Sequence, residues 1–365
     1  MPRPPTWRQM VTRGELWQSM SEPGWVTHAV WWQIYPLGFV GAPTTAASGT
    51  ESLTGAGAGA GVGLSAAASA GAGADASAGA GAGSPRDAHR LTRIIDWLDY
   101  VIELGASGIA LGPIFSSESH GYDTVDYFTI DARLGTEADF AQLVGEAHSR
   151  GLRVLLDGVF NHVGRGFAPL QRALAGGVDA PEGTWFVPVR DAGSDGGGVS
   201  GGAGPEDTRA AAVDGAGDED VRAAAADGAD GAADAGGADA ESAAGHPRFE
   251  VFEGHDALVT LNHRAPEVAD FVVSVMTYWL DRGADGWRLD AAYAVEPAFW
   301  ASVLPRVRAV HPKVYIFGEV LHGDYSAIVE EATLDSVTQY EVWKAIWSSI
   351  HDANFFELAH ALERH

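Results

Sequence analysis

Gly286-Trp287-Arg288-Leu289-Asp290 is a short apolar run that ends on a carboxylate, with an arginine two residues before it. A carboxylate is costly to place at the end of an otherwise buried strand, so repetition of the pattern is informative. Ile316-Phe317-Gly318-Glu319-Val320 carries Glu319 in the same setting. The run at 153–160 (RVLLDGVF) carries Asp157 and is followed at once by Asn161 and His162. Polar groups delivered from the ends of several different strands are the habit of a (β/α) barrel. No GxGxxG or GxxxxGK loop follows an early strand, which weakens the competing nucleotide-binding, doubly wound reading.

Working outward, short β-branched runs alternate with longer amphipathic stretches. Strands are predicted over 29–37, 107–115, 153–160, 285–290, 314–320 and 335–340. Helices are predicted over 90–104, from Thr136 as N-cap to Gly151, over 266–282, 296–310 and 326–331, and from 342 onward. Such alternation implies a parallel sheet with right-handed crossovers. Strands that are apolar throughout imply that both faces are covered.

The chain has 365 residues, no cysteine and a formal net charge of −26. Thiolate metal sites and cysteine nucleophiles are therefore excluded, and a nucleic-acid partner, which needs a basic face, is not expected. The longest apolar run, 271–280, is short of the roughly 20 residues that cross a bilayer, so no membrane partner is expected. Residues 1–27 lack the apolar stretch of a signal peptide, and the expected setting is cytoplasmic. Residues 46–84 are almost entirely Ala, Gly and Ser, and 191–245 are mostly Ala, Gly and Asp. Neither tract holds an aromatic residue that would offset the cost of ordering it, so both read as disordered inserts. Setting them aside leaves 271 residues with a net charge near −13, so half of the acidity carries no functional message.

Asp290 and Glu319 form the centre of the chemistry. On neighbouring strands about 4.8 Å apart, their carboxylates would approach the roughly 5–5.5 Å separation of a retaining glycosidase. Arg288 shares a strand face with Asp290 by period two and is expected to hold it ionised by lowering its pKa. The alternative is a structural Arg–Asp pair at a barrel rim. Asp157, Asn161 and His162 read equally as sugar ligands, metal ligands or a satisfied turn. The stretch His120 to Tyr127 reads as an Asx-type turn or as a tyrosine platform beside a ligand.

Taken in order, QIYPLGF (33–39), GYDTVDYF (121–128), DGVFNH (157–162), GWRLD (286–290) and the GE of IFGEV (316–320) resemble the α-amylase family of glycoside hydrolases. The style of the motifs is most similar to the oligo-1,6-glucosidase and neopullulanase branches. The resemblance implies a (β/α)8 TIM barrel with a protruding second domain after its third strand. It would divide the chain into an N-terminal segment (1–27), barrel (28–161), protruding region (162–257) and continued barrel (258–365). It also implies a retaining hydrolase of α-1,4 or α-1,6 glucosidic bonds in malto- or isomalto-oligosaccharides or related α-glucans. Asp290 would be the nucleophile, Glu319 the general acid/base, and Arg288 the group that orients Asp290. Asp157 and His162 would hold the attacked sugar, Tyr122 would stack on it, and Asp123 would grip a non-reducing terminal glucose. No cofactor is implied beyond calcium, for which Asn161 is the candidate ligand. A transglycosylase of the same family and a non-catalytic carbohydrate-binding relative are the alternatives.

The pattern departs from the family in three places. Tyr293-Ala294 stands where many members have Lys-His, and Val259-Thr260 replaces the family's proline before Leu261-Asn262. No Asn-His-Asp stretch supplies a third carboxylate. His351-Asp352 lies inside a helical pattern and is not a substitute. The expectation is a chain of about six β/α units, with two open sheet edges and weak activity by itself. Trp185 and Phe186 read either as cleft lining or as packing.

Overall fold

Six of the apolar runs form one parallel sheet in the computed structural model, which describes residues 23–44, 88–177, 180–189 and 248–364. The tracts at 46–84 and 191–245 lie outside the described residues. The strands of the main sheet are β1 (Trp31–Ile34), β2 (Gly108–Leu111), β5 (Arg153–Gly158), β8 (Gly286–Leu289), β9 (Tyr315–Gly318) and β10 (Ser336–Val337). They lie side by side in that order, each parallel to the next.

Period-two alternation sorts the strand side chains into two environments. Ile109, Val154, Leu156, Trp287, Leu289 and Ile316 join the large core formed with the helices. Ala110, Leu155 and Tyr315 form a separate inner cluster, against which Trp25, Trp31 and Phe317 pack. Trp31 on β1 stacks on Tyr315 of β9 at 6.0 Å and 10°, although three strands intervene. The sheet is therefore curled like the wall of a barrel. Trp25 closes the N-terminal end of this wall, edge-on to both rings, with its Nε1 donating to the Lys313 carbonyl at 3.2 Å. A Cβ at Gly286 would strike the Tyr315 carbonyl on the next strand, so only glycine fits this crowded end.

The crossovers are helical. A 3-10 stretch, Arg90–Trp97, runs into α2 (Leu98–Glu103), after the one-turn α1 (Pro36–Phe39). A single α-helix was expected over 90–104. Then come α3 (Glu137–Ser149), α4 (Ala168–Gly176), α5 (Pro266–Leu280), α6 (Pro297–Val310) and α7 (Tyr325–Ala332). Thr136 caps α3 in a reciprocal box, in which Asp139 accepts from the Thr136 backbone N–H at 2.7 Å. Beyond the sheet edge lie α8 (Tyr340–His351) and α9 (Phe356–Arg364), where one helix was expected from 342. No helix among the described residues is long and apolar enough to cross a membrane.

Two antiparallel pairs went unread in the sequence. The first joins β3 (Phe115–Ser117) to β4 (Thr124–Ile130), and the second joins β6 (His162–Gly164) to β7 (Leu258–Thr260). Tyr127 of β4 donates its hydroxyl to the Val159 carbonyl, while its own carbonyl accepts from Trp279 Nε1 at 2.7 Å. These contacts pin the 118–123 loop beside the C-terminal end of β5. Phe186 is buried and Trp185 packs against the core, so this pair is packing rather than cleft lining.

Candidate active site

The register of the sheet assembles the site. Asp157 pairs with Arg288 across β5 and β8, and Leu289 pairs with Gly318 across β8 and β9. Asp290 and Glu319 are thus the next residues out on adjacent strands. Arg288 lies among all three carboxylates. Its Nη1 donates to both oxygens of Asp157 at 2.7 and 2.6 Å and to Asp290 Oδ1 at 3.1 Å. Its Nη2 meets Glu319 Oε1 at 2.7 Å. One guanidinium thereby bridges Asp290 and Glu319.

Exposure separates the roles of the carboxylates. The side chain of Asp157 has 0% accessibility, against 10% for Asp290 and 15% for Glu319. Asp157, expected to help hold the sugar, turns both of its oxygens to Arg288 and anchors the guanidinium. Arg288 pulls the pKa of Asp290 down, as expected, but the expectation that this alone holds Asp290 ionised is corrected. Burial, reinforced by the Asp157 charge, raises Asp290 well above the ordinary carboxylate range, and the opposing pull of Arg288 is outweighed. Burial likewise pushes Asp157 up to about 6 despite Arg288. Burial also disfavours the Arg288 charge, but the three carboxylates more than reverse this, and its pKa is raised.

A raised carboxyl pKa means that the folded chain holds its proton more tightly than the unfolded one. Its stabilising effect is complete below the unfolded value and fades as pH rises through the folded value. Asp157→Asn copies the neutral form. Its stability relative to the unaltered chain should be higher at pH 7.5 than at pH 4, as thermal melts at the two pH values will read.

The cleft side is lined from the β3–β4 and β6–β7 pairs. Tyr122 is half-buried beside His120, its ring 6.0 Å from the imidazole, and burial followed by the Asp157 charge raises its phenol pKa. Asp123 is buried, with Oδ2 accepting from Ser119 Oγ at 2.5 Å and Oδ1 without a partner among the described residues. His162 stacks on Phe252 at 4.7 Å and 14°, and its buried Nε2 is likewise unpartnered. Burial lowers its pKa to about 4, so the ring is neutral near pH 7. Buried polar atoms usually find partners, and these two are suited to receive a ligand's hydroxyl groups.

Asn161, the residue expected to ligate calcium, turns its side-chain nitrogen to His162 Nδ1 at 3.2 Å, which leaves its oxygen, the atom calcium prefers, facing away from that ring.

Sequence reasoning assigned no role to three residues. Phe252 covers one face of His162. Tyr293, where Lys-His was expected, donates its backbone N–H to the Glu319 carbonyl at 3.1 Å and its hydroxyl to Glu253 at 2.9 Å. Tyr340 donates its hydroxyl to Glu319 Oε1 at 2.9 Å. None lies in a motif, and only the length of the last strand would have indicated Tyr340.

Comparison with known proteins agrees with this geometry. The family "Alpha amylase, catalytic domain" matches residues 33–209 and 246–360. The chain is 31% identical over 313 residues to Cyclomaltodextrinase of Geobacillus thermopakistaniensis (strain MAS1), a match to 85% of this chain and 41% of that protein. It is 30% identical over 307 residues to Intracellular maltogenic amylase of Bacillus subtilis, covering 82% of this chain and 39% of the relative. The solved structure of cyclic alpha-maltosyl-(1-->6)-maltose hydrolase from Arthrobacter globiformis superposes with a TM-score of 0.60 at 25% identity. That alignment covers 94% of this chain and 62% of the other. The chain thus spans 41% and 39% of the lengths of these two curated relatives.

Proposed function

The chain belongs to the alpha-amylase catalytic-domain family, and from that premise we propose that it carries the nucleophile and acid/base of a retaining glycoside hydrolase. Its substrates are α-1,4 or α-1,6 glucosidic bonds in malto- or isomalto-oligosaccharides or related α-glucans. The observation that supports this most is the single guanidinium of Arg288 touching Asp290 at 3.1 Å and Glu319 at 2.7 Å from adjacent strand ends.

In the first step an Asp290 oxygen attacks the anomeric carbon, the glycosidic C–O bond breaks, and protonated Glu319 gives its proton to the leaving oxygen. Glu319, now a carboxylate, then takes a proton from water. The resulting oxygen attacks the same carbon, releasing the sugar and restoring Asp290. Arg288 keeps the two carboxylates in register, while Tyr122, Asp123 and His162 receive the sugar. A sugar is the only partner proposed; neither nucleic acid nor a membrane is included. A cytoplasmic setting is part of the proposal, supported by the likeness to a relative named as intracellular. So is the division into 1–27, 28–161, a protruding 162–257 and 258–365.

Incubation with 5-fluoro-α-glucosyl fluoride, which loads the nucleophile faster than it is released, tests the reading. Mass spectrometry should find one fluoroglucosyl group on the peptide containing Asp290. Labelling of another residue, or of none, overturns the assignment.

A further inference from the structure

Glu319 is held from three directions. Its Oε1 meets Arg288 Nη2 at 2.7 Å and accepts from the Tyr340 hydroxyl at 2.9 Å. Its Oε2 accepts from the Ala291 backbone N–H at 3.0 Å, and Ala291 adopts a left-handed conformation with φ 44°. The guanidinium is shared with Asp157 and Asp290, and the Ala291 N–H is part of the backbone. Tyr340 is thus the only hydroxyl donor recorded on this carboxylate among the described residues.

The chain is built to deliver that hydroxyl. The ladder between β9 and β10 covers only Ser336 and Val337, opposite Phe317 and Gly318. Past its end a side chain takes over. Thr338 Oγ1 accepts from the Val320 N–H at 2.8 Å and donates to the Val320 carbonyl at 2.9 Å, while the Thr338 N–H donates to the Gly318 carbonyl at 3.0 Å. One threonine thereby clamps both backbone groups of the residue that follows Glu319. Two residues later Tyr340 opens α8 and turns its ring towards the site. Burial and the adjacent Glu319 push its phenol up to about 12, so the hydroxyl keeps its proton and remains a donor throughout the ordinary pH range.

We propose that Tyr340, set in place by the Thr338 clamp, is a positioning residue for Glu319, holding Oε1 against the barrel wall at the height of Asp290. This rests on the reading of Glu319 as acid/base. Glu319 must turn its proton to a leaving oxygen in one step and face a water in the next. Without the hydroxyl, Oε1 would be held only by a guanidinium shared with Asp157 and Asp290, and Oε2 only by the Ala291 N–H. Tyr340 acts through Glu319, beside the Arg288 guanidinium.

The test has two arms. In the first, chains labelled with 13C at the glutamate carboxyl are compared at one pH, with the Glu319 signal identified by its loss in Glu319→Gln. Tyr340→Phe and Thr338→Val should both move that signal. Tyr325→Phe should not, because the Tyr325 hydroxyl donates to the Leu321 carbonyl instead. In the second arm, Tyr340→Phe should lose about tenfold in kcat/KM on an oligosaccharide, whose leaving group needs a proton. On glucosyl fluoride, which leaves without one, kcat/KM should fall less than about twofold.

A Glu319 signal that stays in place in both Tyr340→Phe and Thr338→Val overturns the proposal. So does equal loss on the two substrates. If Tyr340→Phe does not fold, Thr338→Val supplies both readouts. If the unaltered chain turns over neither substrate, the hydrolytic reading fails, and the carboxyl signal alone decides whether Tyr340 holds Glu319.

Discussion

Arg288→Met should destabilise the chain by about 3–5 kcal/mol at pH 7.5, the usual result of stripping a buried charge cluster of its partner. Three carboxylates converge on this guanidinium, and its removal leaves Asp157, Asp290 and Glu319 facing one another with no cation recorded between them. The melting temperature should fall by on the order of 10 °C. The sign with pH follows from the raised pKa of Asp157 and of Asp290. Both groups take up protons readily once the cation is gone, so the deficit should shrink at pH 5 and grow towards pH 8. Arg288→Lys should recover only part of the loss, because one ammonium cannot fork between carboxylates on three strands as a planar guanidinium does. Thermal melts of the three chains at pH 5 and pH 7.5 decide it. A deficit equal at both pH values would place the effect in packing instead.

Asp290→Asn carries the largest expected effect on activity. The amide has almost the shape of the carboxylate but cannot form a glycosyl ester, so turnover of an aryl α-glucoside should fall by at least about 10³-fold. Stability should move the other way. The ionised form of Asp290 is disfavoured by burial and by Asp157, and a neutral side chain relieves both, so the melting temperature at pH 7.5 should hold or rise. Loss of activity together with gain of stability separates chemistry from unfolding. The same raised pKa bears on the unaltered chain. An ionised nucleophile is required, so the acid limb of kcat/KM should lie well above the ordinary carboxylate value of about 4. An acid limb at the ordinary value would mean that Arg288 wins the contest over Asp290 after all.

Much of this site was legible because strand geometry is simple. Period two puts Arg288 and Asp290 on one face, and an apolar run cannot hide a terminal carboxylate, so Asp290 and Glu319 stood out. Thr136 was readable as an N-cap because its partner lies three residues away. The rest depended on distances that no local pattern carries. Asp157 reads as a sugar ligand, and nothing in DGVFNH shows that both of its oxygens accept from Arg288. The pKa of Asp290 turned on depth of burial and a second carboxylate, neither visible in GWRLD. The run at 335–340 reads as a strand, yet only Ser336–Val337 pairs and Thr338 continues the ladder with its side chain. That early ending frees Tyr340 to start a helix and reach Glu319. The stretch GYDTVDYF was read for its polar residues, which concealed the strand Thr124–Ile130 that carries it.

The central claim is that Asp290 and Glu319, joined by Arg288, act as a retaining pair. The most direct measurement is the anomeric configuration of the first sugar released, followed by proton NMR before mutarotation. Two successive inversions at one carbon give the α-anomer from an α-glucoside. A β-anomer formed first would mean a single displacement by water, and would contradict the role given to Asp290.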